Sequence, residues 1–319
     1  MSESGDGRDA ERTVTDPATG AVKRRTFVVG TGAAALGLGA TRPGGAARNS
    51  SNESHASEPD GEGTSIRVLN WNIHHGTGMD GVYDLRRIAD LIVRSGADLV
   101  ALQEVDKHLA SRSRCDDQPR RLADRLGMHV DYAANITDYE SSCEEQSRYG
   151  TAILTERKYP ILDSAHYELP SPQVEEGAYN EPRGLQETTV EVEGETIRFY
   201  TTHLDHLFER RRAAQVEAIL DATADVSDPQ VITGDFNATP DSGPIEAMTG
   251  EYVDAFAAVG NGDSYTYPAV YTDSAPEKRI DYVFTSADGV AVEDAGISEE
   301  TLVSDHLPTV ADLRIRRSA

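Results

Sequence analysis

Short apolar runs alternating with a few amphipathic stretches predict an α/β or α+β fold. Three observations carry this. Apolar-rich segments of strand length recur at 66–72 (IRVLNWN), 98–104 (DLVALQE), 197–204 (IRFYTTHL) and 279–284 (RIDYVF), too short for buried helices. Between them, Leu85, Ile88, Leu91 and Ile92 recur at helical spacing and Gly96 closes the run. No internal repeat is present, which excludes a solenoid or propeller.

In chain order, the strand at 66–72 leads into a helix over 83–95 and then the strand at 98–104. A helix over 118–126 ends at Gly127, and short strands follow at 129–134, 150–154 and 162–169. Residues 170–184, rich in Pro, Glu and Gly, read as a long surface loop. Segments 185–192 and 196–202 form a hairpin around Glu193-Gly194. A helix over 208–224 opens with Arg210, Arg211 and Arg212. Beyond the apolar 231–236, the rest alternates short strands with loops.

The 319 residues divide into a segment 1–40, a spacer 41–64 and a globular part 65–319, long enough for one large domain. Lys23-Arg24-Arg25 opens a short apolar, Gly/Ala-rich run that is too short and weak to span a bilayer. Paired arginines there resemble a twin-arginine export signal, so the expected location is extracellular or at the cell surface. Residues 41–64 are polar and Gly/Ser-rich and read as a disordered spacer. Asn49, Asn52, Asn135 and Asn237 begin N-x-S/T sequons.

Formal net charge is −25, from 55 acidic and 30 basic residues spread along the chain. An acidic, solvated surface suited to concentrated salt is the favoured reading, a cationic partner the alternative. Either way the charge opposes nucleic-acid binding at low salt. Cys115 and Cys143 lie in polar stretches. Paired, they would stabilise by about 2–4 kcal/mol; two free thiols are the alternative. The cysteines offer no structural zinc spacing. Nothing calls for an obligate protein partner, and a monomer is expected.

The functional signal lies at the strand ends. Val231-Ile232-Thr233-Gly234-Asp235-Phe236-Asn237 runs from an apolar strand through Gly into an Asp and an Asn on one face of the next extended turn. Asn72, Glu104, His203, Asp281, Asp305 and His306 likewise sit at or near the ends of separate apolar segments. His74 and His75 either line a pocket or bind nothing; as neighbours on a strand or turn they are expected to point apart.

The ordered set WN…QE…THL…GDFN…RIDY…SDH resembles the endonuclease/exonuclease/phosphatase superfamily over about residues 65–315. That resemblance implies a four-layer αββα sandwich, two packed β-sheets with helices on both outer faces and the site at one edge. It also implies a phosphoesterase using Mg2+ or Mn2+, since hard oxygen donors suit such ions. Glu104 becomes a metal ligand, with the Asn72 amide oxygen beside it and Asp305 completing or supporting the shell. Asp235 orients or deprotonates the attacking water, and Asn237 holds that water or a phosphoryl oxygen. Asp281 pairs with His306 and favours its cation. His203 donates to a phosphoryl oxygen or the leaving group. Tyr149 is a candidate phosphate contact, although many relatives carry Asn where this chain has Thr151. Arg183 is a candidate phosphate clamp. The implied function is an exported phosphoesterase acting on a phosphodiester or phosphomonoester. An extracellular endonuclease and a non-catalytic surface-binding module are the alternatives.

Overall fold

The computed structural model describes residues 10–15, 22–27, 63–140, 143–175, 177–262, 264–269, 276–298 and 301–317. The strands are β1 (Ala10–Thr15), β2 (Val22–Phe27), β3 (Gly63–Asn72), β4 (Leu99–Lys107), β5 (His129–Thr137), β6 (Arg148–Thr155), β7 (Ile161–Glu168), β8 (Gly184–Val192), β9 (Glu195–His203), β10 (Gln230–Asp235), β11 (Val253–Asp254), β12 (Asp281–Thr285), β13 (Val290–Ile297) and β14 (Thr309–Arg316). The helices are α1 (Leu85–Ser95), α2 (Ala110–Ser113), α3 (Gln118–Leu126), α4 (Glu209–Thr223), α5 (Gly243–Glu251) and α6 (Ala255–Ala258).

Two mixed sheets form. One runs β13-β14-β3-β4-β6-β5 and the other β11-β12-β10-β9-β8-β7-β1-β2. Three apolar cores separate four layers. Val68, Leu99, Ala101 and Ile153 meet Val190, Phe199, Val231 and Val283 between the sheets. Ile88, Leu91 and Ile92 of α1 and Leu122 of α3 cover Leu69, Trp71, Val100 and Leu102 on one outer face. Val216 and Ile219 of α4 and Ile245 and Met248 of α5 cover Tyr200, Ile232 and Phe284 on the other.

Period-two alternation explains where the site forms. The inward files of four strands read Ile66-Val68-Asn70-Asn72, Leu99-Ala101-Gln103, Ile197-Phe199-Thr201-His203 and Val231-Thr233-Asp235, each turning from apolar to polar toward one edge. Parallel pairing of β3 with β4 and of β9 with β10 brings those polar ends together. Just beneath the site, Gln103 Nε2 donates to Asn70 Oδ1 and to Thr201 Oγ1, both at 2.8 Å, bolting sheet to sheet. Gly234 is required because a Cβ there would lie 2.3 Å from the Thr202 carbonyl oxygen.

The structure departs from the sequence reading in several places. Residues 243–251 are helical, not loop. Pro244 sits in the first turn, where its missing N–H costs nothing, but a run holding Thr249 and Gly250 gives no strong helical signal. Lys23 to Phe27 are strand residues of the edge hairpin β1–β2, while 28–62 lie outside the described residues. β3 begins at Gly63. Asn135 is not a free sequon side chain: it lies in β5 and its Oδ1 receives His166 Nε2 at 3.0 Å. Cys115 and Cys143 are disulfide-bonded. No helix among the described residues is long and apolar enough to cross a membrane.

Candidate active site

One carboxylate oxygen is the focus of the site. Asp235 Oδ2 accepts from Asn72 Nδ2 at 3.1 Å and faces His203 Nε2 at 3.5 Å and His306 Nε2 at 3.6 Å. All four residues are buried. The pairing register places Asp235 beside both His203 of β9 and Asp281 of β12. Asp235 and Asn237 do come together, but not by strand alternation. Asn237 adopts φ +48°, and its N–H donates to Asp235 Oδ1 at 2.9 Å, an Asx turn that caps the strand. Its Nδ2 is tied to the Leu204 carbonyl at 3.1 Å.

His306 Nδ1 donates to Asp281 Oδ2 at 2.9 Å, as the resemblance implied. Burial opposes the imidazolium, but Asp281 and then Asp235 outweigh it and push the pKa up to about 10. His203 moves the other way: burial, then the Arg183 charge, hold it well below the usual range and keep it neutral. Asp235 is raised, first by burial and further by the Asp281 charge. Tyr267, unmarked by the sequence reading, lies over His306 with ring centroids 4.7 Å apart.

Glu104 needs a backbone exception to reach this centre. Gln103 is the inward residue of β4, so regular alternation would turn Glu104 away. A register shift between Leu102 and Val105, with Glu104 at φ +57°, re-aims it. Glu104 Oε1 then accepts from Asn72 Nδ2 at 3.3 Å. Burial would raise its pKa, but the contact with His75, the Asn72 amide and the His306 charge outweigh it and hold it well below the carboxylate range. Asn72 therefore turns its nitrogen to two carboxylates, and its oxygen accepts the His74 N–H at 3.0 Å. Asp305 is half-buried, 4.0 Å from His74 Nδ1. Glu104 and Asp305 offer carboxylate oxygens, the donor type a hard divalent cation takes. Asp235, Asp281 and His306 also cluster, with ligand-capable atoms within 4.8 Å of one another. There a proton on His306, held by Asp281 and Asp235, already supplies positive charge.

Tyr149 and Arg183 flank the centre. Tyr149 is buried beneath the Arg112 guanidinium at 5.2 Å, and burial followed by Glu104 and Glu181 keeps its phenol protonated. Thr151, the departure from the family pattern, bonds Gln186 Oε1 at 2.8 Å between the sheets. Arg183 is only 3% exposed. Its Nη2 meets Glu181 Oε1 at 3.1 Å and His206 Nδ1 at 3.2 Å, while Nε and Nη1 have no hydrogen-bond partner. An unsatisfied fork in a buried guanidinium suits an oxyanion.

Residues 69–306 match the Endonuclease/Exonuclease/phosphatase family. The chain belongs to this family. The family hydrolyses phosphate esters, typically with a divalent metal, and this member is a hydrolase of that class. Among similar solved structures is an endonuclease/exonuclease/phosphatase from Beutenbergia cavernae, 27% identical with a TM-score of 0.69, covering 79% of this chain and 72% of that one. A Bacteroides thetaiotaomicron mannosyl-6-phosphatase is 19% identical with a TM-score of 0.60 over 78% and 99%. D. rerio TDP2 complexed with single strand DNA product is 18% identical with a TM-score of 0.58 over 78% and 99%.

The site of this family member also holds two residues whose role the sequence left open between lining a pocket and binding nothing. His74 and His75 do not point apart; their rings are 4.4 Å from each other at 64°. Both have positive φ (45° and 44°), as does Gly76 (79°), so the strand rule does not apply. The sequence signal was the Gly after the pair.

Proposed function

We propose that the chain is an exported phosphoesterase that uses Mg2+ or Mn2+ to hydrolyse a phosphodiester or phosphomonoester by direct attack of water. The convergence of Asn72, His203 and His306 on Asp235 Oδ2 carries this reading. Glu104 and Asp305 would hold the cation, which when bound neutralises phosphoryl charge and stabilises the leaving oxygen. Asp235, destabilised as an anion by its burial, takes the proton from the attacking water. Asn72 and the Asn237 N–H fix its two oxygens in place. Cationic His306 and neutral His203, the latter through Nε2–H, face the phosphoryl oxygens. Arg183 grips a further oxygen through its partnerless Nε and Nη1.

The net charge of −25 favours a small ester or lipid head group over a polynucleotide. Exposed Tyr179, whose surroundings include Glu181, Tyr139 and Arg183, offers an aromatic wall beside the clamp. The mannosyl-6-phosphatase and the DNA-bound TDP2 illustrate the two substrate classes on related folds. Export rests on the paired arginines, and the Cys115–Cys143 disulfide supports an oxidising compartment.

The test is metal-dependent hydrolysis by the full chain in molar KCl, with Asp235→Ala as blank. The substrates are supercoiled plasmid, phospholipids, phosphoinositides and sugar phosphates. Release of phosphate or head group from the small esters is expected. Plasmid nicking that the variant lacks would establish the nuclease alternative, and turnover retained by the variant would end the mechanism. The acidic surface predicts a melting temperature that rises from low to molar KCl; a flat or falling one contradicts it.

A further inference from the structure

A left-handed turn sits at the mouth of the site. His74, His75 and Gly76 have φ of 45°, 44° and 79° in succession. For an L residue this conformation costs roughly 1–2 kcal/mol each, so two histidines there are held against strain. The restraints are specific. The His74 N–H donates to Asn72 Oδ1 at 3.0 Å, and fully buried Gln118 donates to the His75 carbonyl at 2.8 Å. Ser304 Oγ donates to the Asn72 carbonyl at 2.7 Å.

The turn aims one nitrogen inward. The His75 side chain is 12% exposed, and its buried Nδ1 lies 3.8 Å from Glu104 Oε2. Glu104 is its polar contact, and no atom lies at hydrogen-bond distance from it. A separation of 3.8 Å exceeds a hydrogen bond. It falls within the roughly 4.2 Å that two metal–ligand bonds of about 2.1 Å can span. His74 differs: its Nδ1 is 3.0 Å from the Thr77 carbonyl and must donate to it. The His74 ring instead packs edge-on against His75 and fixes its plane.

We propose that His75 Nδ1 is a nitrogen donor to the cation held by Glu104, making a mixed nitrogen–oxygen centre that prefers Mn2+ and later first-row metals to Mg2+. The inference rests on the metal-dependent reading above. Imidazole adds little for Mg2+, which demands oxygen donors, and more for each step along the first transition row. The strain at 74–76 then has a function: it delivers an imidazole to a carboxylate that β4 supplies through its own strained residue, Glu104.

The test uses metal-free full chain, with Mg2+ and Mn2+ titrated by calorimetry and the Mn2+ form examined by pulsed EPR. The variant is His75→Asn, because Asn adopts the left-handed conformation at least cost among L residues. In the parent, nitrogen-14 coupling and Mn2+ affinity about 10-fold or more above Mg2+ are expected. In His75→Asn the coupling disappears and Mn2+ affinity falls about 10–100-fold, with Mg2+ affinity changed less than about 3-fold. His74→Asn keeps the coupling. Mn2+ bound by the parent without nitrogen coupling, or coupling retained in His75→Asn, overturns the inference and leaves the proposed function standing. Failure of the parent to bind either ion overturns both.

Discussion

Glu104 and Asp235 share one amide, Asn72 Nδ2, at 3.3 and 3.1 Å, yet their carboxyls move in opposite directions. Burial pushes both upward. Glu104 is drawn down by His75, Asn72 and His306 and ends well below the ordinary range, whereas at Asp235 the pull of His306 is countered by Asp281 and burial leaves the carboxyl above it. Burial acts on both, and the balance of neighbouring charges and hydrogen bonds decides how much of it is offset. Two carboxylates with divided environments are what an enzyme needs to hold a cation with one and move a proton with the other.

The widest break in this comparison comes from removing each charge alone. Asp235→Asn lowers kcat by about 10²–10⁴-fold, and added metal does not restore it. Glu104→Gln raises the metal concentration needed for half-activity by at least about 10-fold, and excess metal restores much of kcat. Metal titrations of both variants check this; identical responses would falsify the division of labour. Asp281→Asn should cost about 10²-fold at neutral pH, because it removes the charge that holds the proton on His306. The direction in pH follows. The folded pKa of His306 is raised to about 10, so the contribution of its cation is complete below the unfolded value near 6.5 and is lost as pH rises toward 10. In Asp281→Asn the alkaline limb of the rate profile moves to lower pH. An unmoved limb would remove His306 from the reaction.

The same contrast separates what the sequence revealed from what it concealed. Asn72, His203, Asp235 and Asp281 stand on inward files of regular strands, so period two and strand ends locate them. The helix over 118–126 was visible from its closing Gly127, and the structure adds Asp117 as the cap at its start. Glu104, Asn237, His74 and His75 all have positive φ, where alternation makes the wrong prediction. Their geometry depends on a bulge, an Asx turn and a left-handed turn, the last held by Gln118 and Ser304, partners distant in sequence. Arg183 was visible only as an arginine on a loop; its burial and its partnerless nitrogens are tertiary facts.

That loop gives a sharper, smaller test. Buried Arg211 of α4 donates to the Tyr179 carbonyl at 2.6 Å and the Pro172 carbonyl at 3.3 Å, and pairs with Asp205 Oδ2 at 3.1 Å. Asp205 lies two residues after His203, and its Oδ1 accepts the Leu207 and Phe208 N–H groups. One guanidinium thus ties the loop bearing Tyr179 and Arg183 to the strand end bearing His203. Arg211→Met leaves a buried carboxylate uncompensated and should cost about 3–5 kcal/mol in denaturant unfolding. Adding Asp205→Asn should recover part of that. With the tether gone, KM rises about 10-fold while kcat falls less than about 3-fold. A fall in kcat with unchanged KM would mean that Arg211 acts on His203 instead of on the substrate loop.

A half-buried histidine away from the site puts the charge rule to its mildest test. His166 is half-buried, but it faces the carboxamide of Asn135 and no carboxylate is among the causes of its shift. Burial alone lowers its pKa to about 4. Its folded value therefore lies below the unfolded value near 6.5, and the neutral ring stabilises the fold in full above pH 6.5. That contribution, at most about 3 kcal/mol, is lost as pH falls from 6.5 to 4. His306 has the opposite slope on the opposite side of neutrality. Replacing His166 with Gln keeps a donor toward Asn135 and removes the titration, so unfolding free energy should become flatter between pH 6.5 and 4. An equally steep acid limb in that variant would assign the loss to carboxylates, and the comparison of the two histidines would then rest on His306 alone.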